Sequence, residues 1–273
     1  MFDPNTEKYP YPKRTDGHYI VIKKDKGAVF DSKYPFIDDS KKAKFLRALV
    51  RILLYAIVFP FTKIKLGLRT EGRENLVKHK KTLNKGVISC SNHVHFFDYL
   101  AVMRAIKPKK PAVLVWARNI NGESGGLIRS VGGIPIPENN PGAALALGKA
   151  LEKYLDGGWL HVYPEGSMWE FYAPIRPFKR GAAFYACRCD KPLLPMAFSY
   201  RKPGWIRRVI FRQIACLTLR IGEPLFPNKD LPEKERILDL TARCHAAVCA
   251  LAGFFPGENI YPPVFDDNRR IDY

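Results

Sequence analysis

The stretch NNPGAALALGKALEKYLDGGWLHVYPEG, Asn139 to Gly166, decides the fold class of this 273-residue chain. Asn140 is a capping residue, Pro141 suits the first helical position, and Gly157 stands just past the last one. The helix leads straight into an apolar run, Trp159 to Val162, that reads as a buried strand. Upstream, GVISCSN (86–92), PAVLVWAR (111–118) and GGIPIP (132–137) are strand-like. Downstream, a helix-like KRGAAFYACRC (179–189) precedes LLPMAFSY (193–200) and the alternating IACLTLRIGEPL (214–225). A last helix is expected from Pro232 to about Ala252, with Ile237, Leu240, Cys244, Val248 and Leu251 on one stripe and Gly253 as its stop. No repeat or low-complexity linker interrupts this alternation, which predicts one α/β domain with a central mixed sheet flanked by helices.

Before that domain the pattern differs. DSKKAKFLRALVRILLYAIVFPF (39–61) opens on Asp39 and Ser40 as capping candidates and is expected to stop near Pro60. Lys44, Arg47 and Arg51 recur on one face, and Phe45, Leu46, Leu49, Val50, Ile52, Leu53 and Leu54 fill the rest. Such a helix either packs on the protein's own core or lies in a membrane interface, and the basic flank favours an amphipathic membrane-interface helix. The organisation read from sequence is an N-terminal extension over 1–40, a membrane-association helix over 41–62 and a catalytic-sized domain over 63–273. Within the extension, HYIVIKK (18–24) could form an edge strand or hairpin. It carries no functional signal.

Composition limits the partners. With 45 Lys plus Arg against 26 Asp plus Glu, the formal charge is +19, which calls for an anionic partner: nucleic acid, an acidic membrane, or phosphate-bearing substrates. No recognition-helix module or repeated aromatic-plus-arginine stretch is present, so no nucleic acid is expected. The six cysteines lack paired spacing and mostly sit in apolar runs, as buried free thiols of a reducing compartment do. The N-terminus lacks the basic-then-apolar order of a signal peptide, and no stretch of about 20 apolar residues is found that would span a bilayer.

Two polar clusters lie at the C-terminal ends of apolar strands, the edge where open α/β sheets place their sites. The first is Asn92, His93, His95 and Asp98. On an ideal helix His93 and Asp98 would be about 140° apart, so they pair only if His93 stays in the loop and Asp98 begins the helix. His95 and Asp98, three apart, pair without that condition. Spacing leaves the choice open between a carboxylate-oriented imidazole base and a capping Asp with two surface histidines. The second cluster is Pro164, Glu165 and Gly166, where the glycine lets a ligand approach the backbone.

Taken together, NHVHFFD, then VYPEGS about seventy residues on, then FKRGAAFYA and LLPMAF resemble the ordered motifs of the glycerolipid acyltransferase family, over roughly residues 63 to 225. The family's His-x-x-x-x-Asp motif falls on His93 and Asp98 and leaves His95 as a variable position. Its Pro-Glu-Gly-Thr/Ser motif falls on Pro164, Glu165, Gly166 and Ser167, and its hydrophobic-Pro pair on Leu194 and Pro195. The resemblance implies a glycerol-3-phosphate acyltransferase-like fold with an N-terminal membrane anchor. The implied chemistry moves an acyl group from acyl-CoA or acyl carrier protein, a co-substrate and not a cofactor, to the hydroxyl of a lysolipid acceptor such as 1-acylglycerol-3-phosphate. It implies no metal, with His93 as base and Asp98 as its orienter. Asn92 or backbone N–H groups near Gly166 are candidates for the oxyanion. The implied setting is the cytoplasmic face of the membrane, bound peripherally to an anionic surface.

Two arginines of the family pattern are missing. Glu138 or Asn139 stands where the second motif usually ends in Arg, and Met168 and Trp169 stand where an Arg commonly follows the third. Lys179, Arg180, Arg118 and Arg129 are the candidate replacements for phosphate binding. Otherwise the acceptor carries another head group, or the chain is a catalytically inactive lipid-binding relative, which the retention of His93, Asp98 and Glu165 argues against.

Overall fold

The computed structural model describes residues 4, 11–12, 14–20 and 27–254. The strand or hairpin expected over 18–24 lies largely outside them. Seven strands form one sheet: β1 (Arg69–Glu71), β2 (Val87–Cys90), β3 (Ala112–Trp116), β4 (Gly133–Ile136), β5 (Trp159–Val162), β6 (Leu193–Arg201) and β7 (Cys216–Ile221). Their order is β1-β7-β6-β2-β5-β3-β4. Every neighbouring pair is parallel except β6 with β7, so the sheet is mixed as expected.

Helices cover both faces, which is why the central strands are apolar throughout and not alternating. Ile88, Cys90, Leu160 and Val162 point to one side, against Leu147 and Leu151 of the helix Pro141–Tyr154, Ala182 and Ala186 of Gly181–Arg188, and Leu240, Cys244 and Val248 of Glu233–Ala252. Val87 and Trp159 point to the other, with Val102 and Ala105 of the helix Asp98–Ala105 and Met196 and Phe198 of β6. The capping signals act as read: the Asn140 side chain accepts the Ala143 N–H at 3.0 Å, and Gly253, with φ of 94°, closes the last helix. All six cysteines are unpaired, three of them buried and three half-buried.

Two sequence expectations about the N-terminal helix are corrected. It does not stop near Pro60 but runs unbroken over Lys41–Leu66, 26 residues, and is long and apolar enough to cross a membrane by length and composition. A π turn at Leu54–Val58 precedes Pro60. That widened turn accommodates a residue which lacks an N–H and whose ring presses on the preceding turn. The helix is also inverted relative to a core helix. Phe45, Leu46, Leu49, Ile52 and Leu53 are exposed, while Lys44, Arg47 and Arg51 face the body across a cavity of about 340 Å³ that Arg129 and Lys110 also line. Packing on the protein's own core therefore does not explain the first half. The second half is docked more closely, with Phe59, Thr62 and Leu66 buried.

The described residues of the extension pack on the sheet domain. Tyr11 stacks on Trp169 with centroids 5.4 Å apart, and the Ser167 hydroxyl and Trp169 indole both donate to the Gly17 carbonyl at 2.9 Å. Further on, the Arg129 guanidinium donates to the carbonyls of Phe36 and Gly133, at 2.6 and 3.0 Å, and to that of Pro35.

Candidate active site

Strands β2 and β5 are paired in register, Cys90 opposite Val162, so their C-terminal ends finish level. His93 and Glu165 each follow three residues beyond. That edge holds the site, and the 340 Å³ cavity, which meets β3 and β4 at Ala112 and Gly133 where those strands begin, lies at the opposite edge.

Beyond Ser91 the loop leaves the strand ladder, and side chains accept the N–H groups of His93, Val94, His95 and Phe97. The Asp98 Oδ2 accepts the N–H groups of Val94 at 2.6 Å and His95 at 2.9 Å. This local bonding competes with helix formation, and it keeps His93 in the loop while the helix begins at Asp98. The condition for pairing His93 with Asp98 is thereby met: Nδ1 of His93 lies 3.1 Å from Asp98 Oδ2. Asp98 is fully buried, at the positive end of its helix, and is an acceptor on that oxygen for both backbone groups. Nδ1 is therefore the protonated nitrogen, and Nε2 is left as the bare one. The His93 ring, 23% exposed, is held flat by stacking on Tyr163, centroids 3.8 Å apart.

His95 is turned elsewhere. Its Nδ1 accepts the Phe97 N–H at 3.1 Å, and its Nε2 sits 3.9 Å from a Glu170 carboxylate oxygen. Burial pushes its pKa down, so the ring is neutral.

Beneath this layer lies a histidine that the sequence reading passed over. His161, on β5, is fully buried between the hydroxyls of Ser89, 2.8 Å from Nδ1, and Ser91, 3.3 Å from Nε2. It meets Tyr163 edge-on. Burial drives its pKa down to about 3, so it is neutral and places no charge under His93. A histidine inside an otherwise apolar strand was the available signal.

Glu165 acts as a brace within the protein. Its Oε2 accepts the His93 N–H and the Arg176 guanidinium, both at 3.0 Å, and its Oε1 accepts the Arg176 N–H at 2.9 Å. Arg176, also absent from the sequence candidates, is fully buried. Its guanidinium stacks on Trp169 at 4.4 Å and donates to the Ser167 hydroxyl, 3.2 Å, and the Thr15 carbonyl, 3.3 Å. The cation missing after the third motif is thus present nine residues later, but it points inward. Ser167 is engaged with Arg176 and Gly17 rather than turned to a ligand.

Asn92 is corrected too. Its amide bonds both the N–H and the carbonyl of Phe198 on β6, at 2.7 and 3.0 Å, with no exposed surface. The Gly166 N–H is likewise spent on Tyr163 O at 3.1 Å. Gly166 has φ of 85°, and a Cβ there would meet Lys179 Nζ at 2.6 Å. The lysine side chain lies over the glycine, whose bare backbone makes that approach fit. Of the other cations, Arg118 is exposed over Trp116, whose indole donates to Glu138. Arg180 is exposed beside Lys179. Arg129 is consumed by the extension's carbonyls. Among the described residues no three His, Cys, Asp or Glu side chains cluster as metal ligands.

The arrangement brings His93, Asp98, Glu165, Gly166 and Lys179 together and can remove a proton from a hydroxyl at Nε2. Residues 67–199 match the family model described as Acyltransferase. Comparison with curated proteins gives no match. Among solved structures, the chain is similar to the 1-acyl-sn-glycerophosphate (LPA) acyltransferase PlsC from Thermotoga maritima, at 18% identity over 81% of this chain and 86% of that one, with a TM-score of 0.48.

Proposed function

We propose that the chain is an acyltransferase of the family whose model matches residues 67–199, and that it transfers a fatty acyl group from acyl-CoA or acyl carrier protein to the free hydroxyl of a lysophospholipid, 1-acylglycerol-3-phosphate foremost. The observation that carries this reading is the 3.1 Å contact between His93 Nδ1 and Asp98, which leaves Nε2 as a base. An alcohol is a poor nucleophile at neutral pH. As its oxygen attacks the thioester carbonyl, the hydroxyl proton passes to Nε2, and the Asp98 carboxylate stabilises the imidazolium. Collapse of the tetrahedral adduct breaks the C–S bond, and the same proton goes to the leaving thiolate. General-base catalysis of this kind is worth about 10²–10⁴ in rate. No covalent enzyme intermediate is needed.

Lys179, laid over Gly166, is the cation proposed to meet the acceptor phosphate, with Arg118 and Arg180 farther out. Glu138, standing where the family has arginine, favours a second reading in which the acceptor has no phosphate. The outward apolar face of the N-terminal helix supports peripheral binding to an anionic membrane. A cytoplasmic face, where CoA and carrier protein are available, is proposed with it.

The test is free-thiol release from palmitoyl-CoA with lysophospholipid and non-phosphorylated acceptors. His93→Ala is expected to lose about 10²–10⁴ in kcat, with His95→Ala within a few-fold of wild type. Loss confined to His95→Ala would refute the assignment, and absence of turnover with any acceptor and either donor would point to an inactive lipid-binding protein. Lys179→Ala is expected to raise KM about tenfold for phosphorylated acceptors only, as loss of one charge-assisted contact does; an equal effect on both acceptor classes would remove its role.

A further inference from the structure

The N-terminal helix is not the sole outward apolar surface. The segment KPGWIRRVIFR, Lys202 to Arg212, includes a short helix, Trp205–Val209, that carries no site residue. Trp205, Ile206, Val209, Ile210 and Phe211 are 67, 57, 54, 64 and 40% exposed. Five large apolar side chains within seven positions are far more than scattered surface hydrophobics, and such patches mark interaction sites. Lys202, Arg207, Arg208 and Arg212 are interleaved with them, and no acidic residue occurs from 191 to 222.

Its place in the fold identifies the partner. The segment follows the C-terminal end of β6, which runs parallel to β2, so it emerges on the edge of the sheet that holds His93. There it lies beside the docked half of the N-terminal helix: the Arg207 guanidinium donates to Ile64 O at 3.2 Å. Ile64 and Phe61 are exposed on that helix, and Phe96, inside the loop between His93 and Asp98, is 65% exposed.

We infer that Lys202–Arg212 is a second membrane-docking element, which together with the N-terminal helix seats the active-site edge on an anionic bilayer. A tryptophan and aliphatic side chains interleaved with arginines and unopposed by carboxylates match the headgroup and acyl boundary of such a surface. A single helix would tether the domain at one border; two elements fix which edge faces the lipid. An acceptor that lives in the bilayer would then reach Nε2 without crossing water. This rests on the membrane reading of the N-terminal helix and extends it to a segment outside that helix.

The test uses the full chain with vesicles of equal parts phosphatidylcholine and phosphatidylglycerol, with brominated phosphatidylcholine as depth quencher. The expected result is a blue shift and quenching of tryptophan emission that disappear in Trp205→Phe. A Trp205→Ser, Ile206→Ser, Ile210→Ser variant is expected to bind vesicles about tenfold more weakly or worse. Its thiol release from a water-soluble short-chain donor and acceptor should match wild type, which shows that it folds. Vesicle binding with Trp205 emission unmoved, or a triple variant that binds like wild type, overturns this inference and leaves the N-terminal helix as the anchor. Absence of vesicle binding by the wild type overturns both. A shift that needs protein concentration and not lipid identifies a second copy as the occupant, and overturns the bilayer.

Discussion

The loops that follow β2 and β5 and the helix Lys41–Leu66 solve opposite problems with the same residue types. In the loops, polar groups turn inward. Asp98 takes three donors on one oxygen, Glu165 takes three from His93 and Arg176, and Asn92 is spent on β6. In the helix, the apolar groups turn outward and the cations inward. The first arrangement fixes one imidazole within a small angle. The second leaves an apolar surface that the described residues do not cover. Positioning is thus achieved by buried polar bonds, and the proposed placement at lipid would rest on unburied apolar area, a division suited to the proposed lipid acceptor.

This contrast can be broken first at the brace. Arg176→Met should strand the Glu165 carboxylate and cost about 3–5 kcal/mol, the usual penalty for removing one partner of a buried ion pair. Chemical denaturation would measure it, and a loss below about 1 kcal/mol, the worth of a surface pair, would show that the pair is not structural. A smaller effect is expected at His161. Its folded pKa of about 3 lies below its ordinary value near 6.5, so the unfolded chain takes up a proton first. Stability is whole above pH 6.5 and falls as the pH drops toward 3, by about 2 kcal/mol at pH 5 from this residue. His161→Gln, which keeps bonds to both serines, should flatten that slope; an unchanged slope between pH 7 and 5 would mean the ring titrates normally. Least of all should stability respond to Leu49→Asp with Ile52→Asp on the outward face, within about 0.5 kcal/mol. Vesicle binding, by contrast, should be lost. A large fall in stability would mean that this face is packed after all.

The sheet, the capped helix at Pro141 and the two loops at one sheet edge were legible because each rests on local rules: turn residues, caps, and apolar runs of strand length. The pairing of His93 over His95 was not legible from spacing, which favours neither, and was expected only through the motif resemblance; in the fold the Asp98 side chain claims the N–H groups of Val94 and His95 and keeps His93 off the helix. Nor was the part played by Glu165. Its partner Arg176 lies in a different stretch of loop, and only folding shows that the lone arginine is buried while Lys179 stays outside. The corrections at Asn92, Ser167 and Gly166 share a cause: a motif names polar residues without saying which of their donors the fold has already used.

The N-terminal helix divides the two kinds of knowledge most sharply. Its stripes, basic on one side and apolar on the other, follow from the order of residues alone, because helical periodicity assigns every side chain to a face. Which face meets the protein depends on what the body presents. Here the body presents the Asp39 carboxylate, which pairs with Lys44, and the Asp38 carbonyl, which accepts from Arg47, and the apolar face is left outside. Periodicity is a property of one segment, whereas burial is a property of two surfaces brought together, so only the tertiary structure decided it.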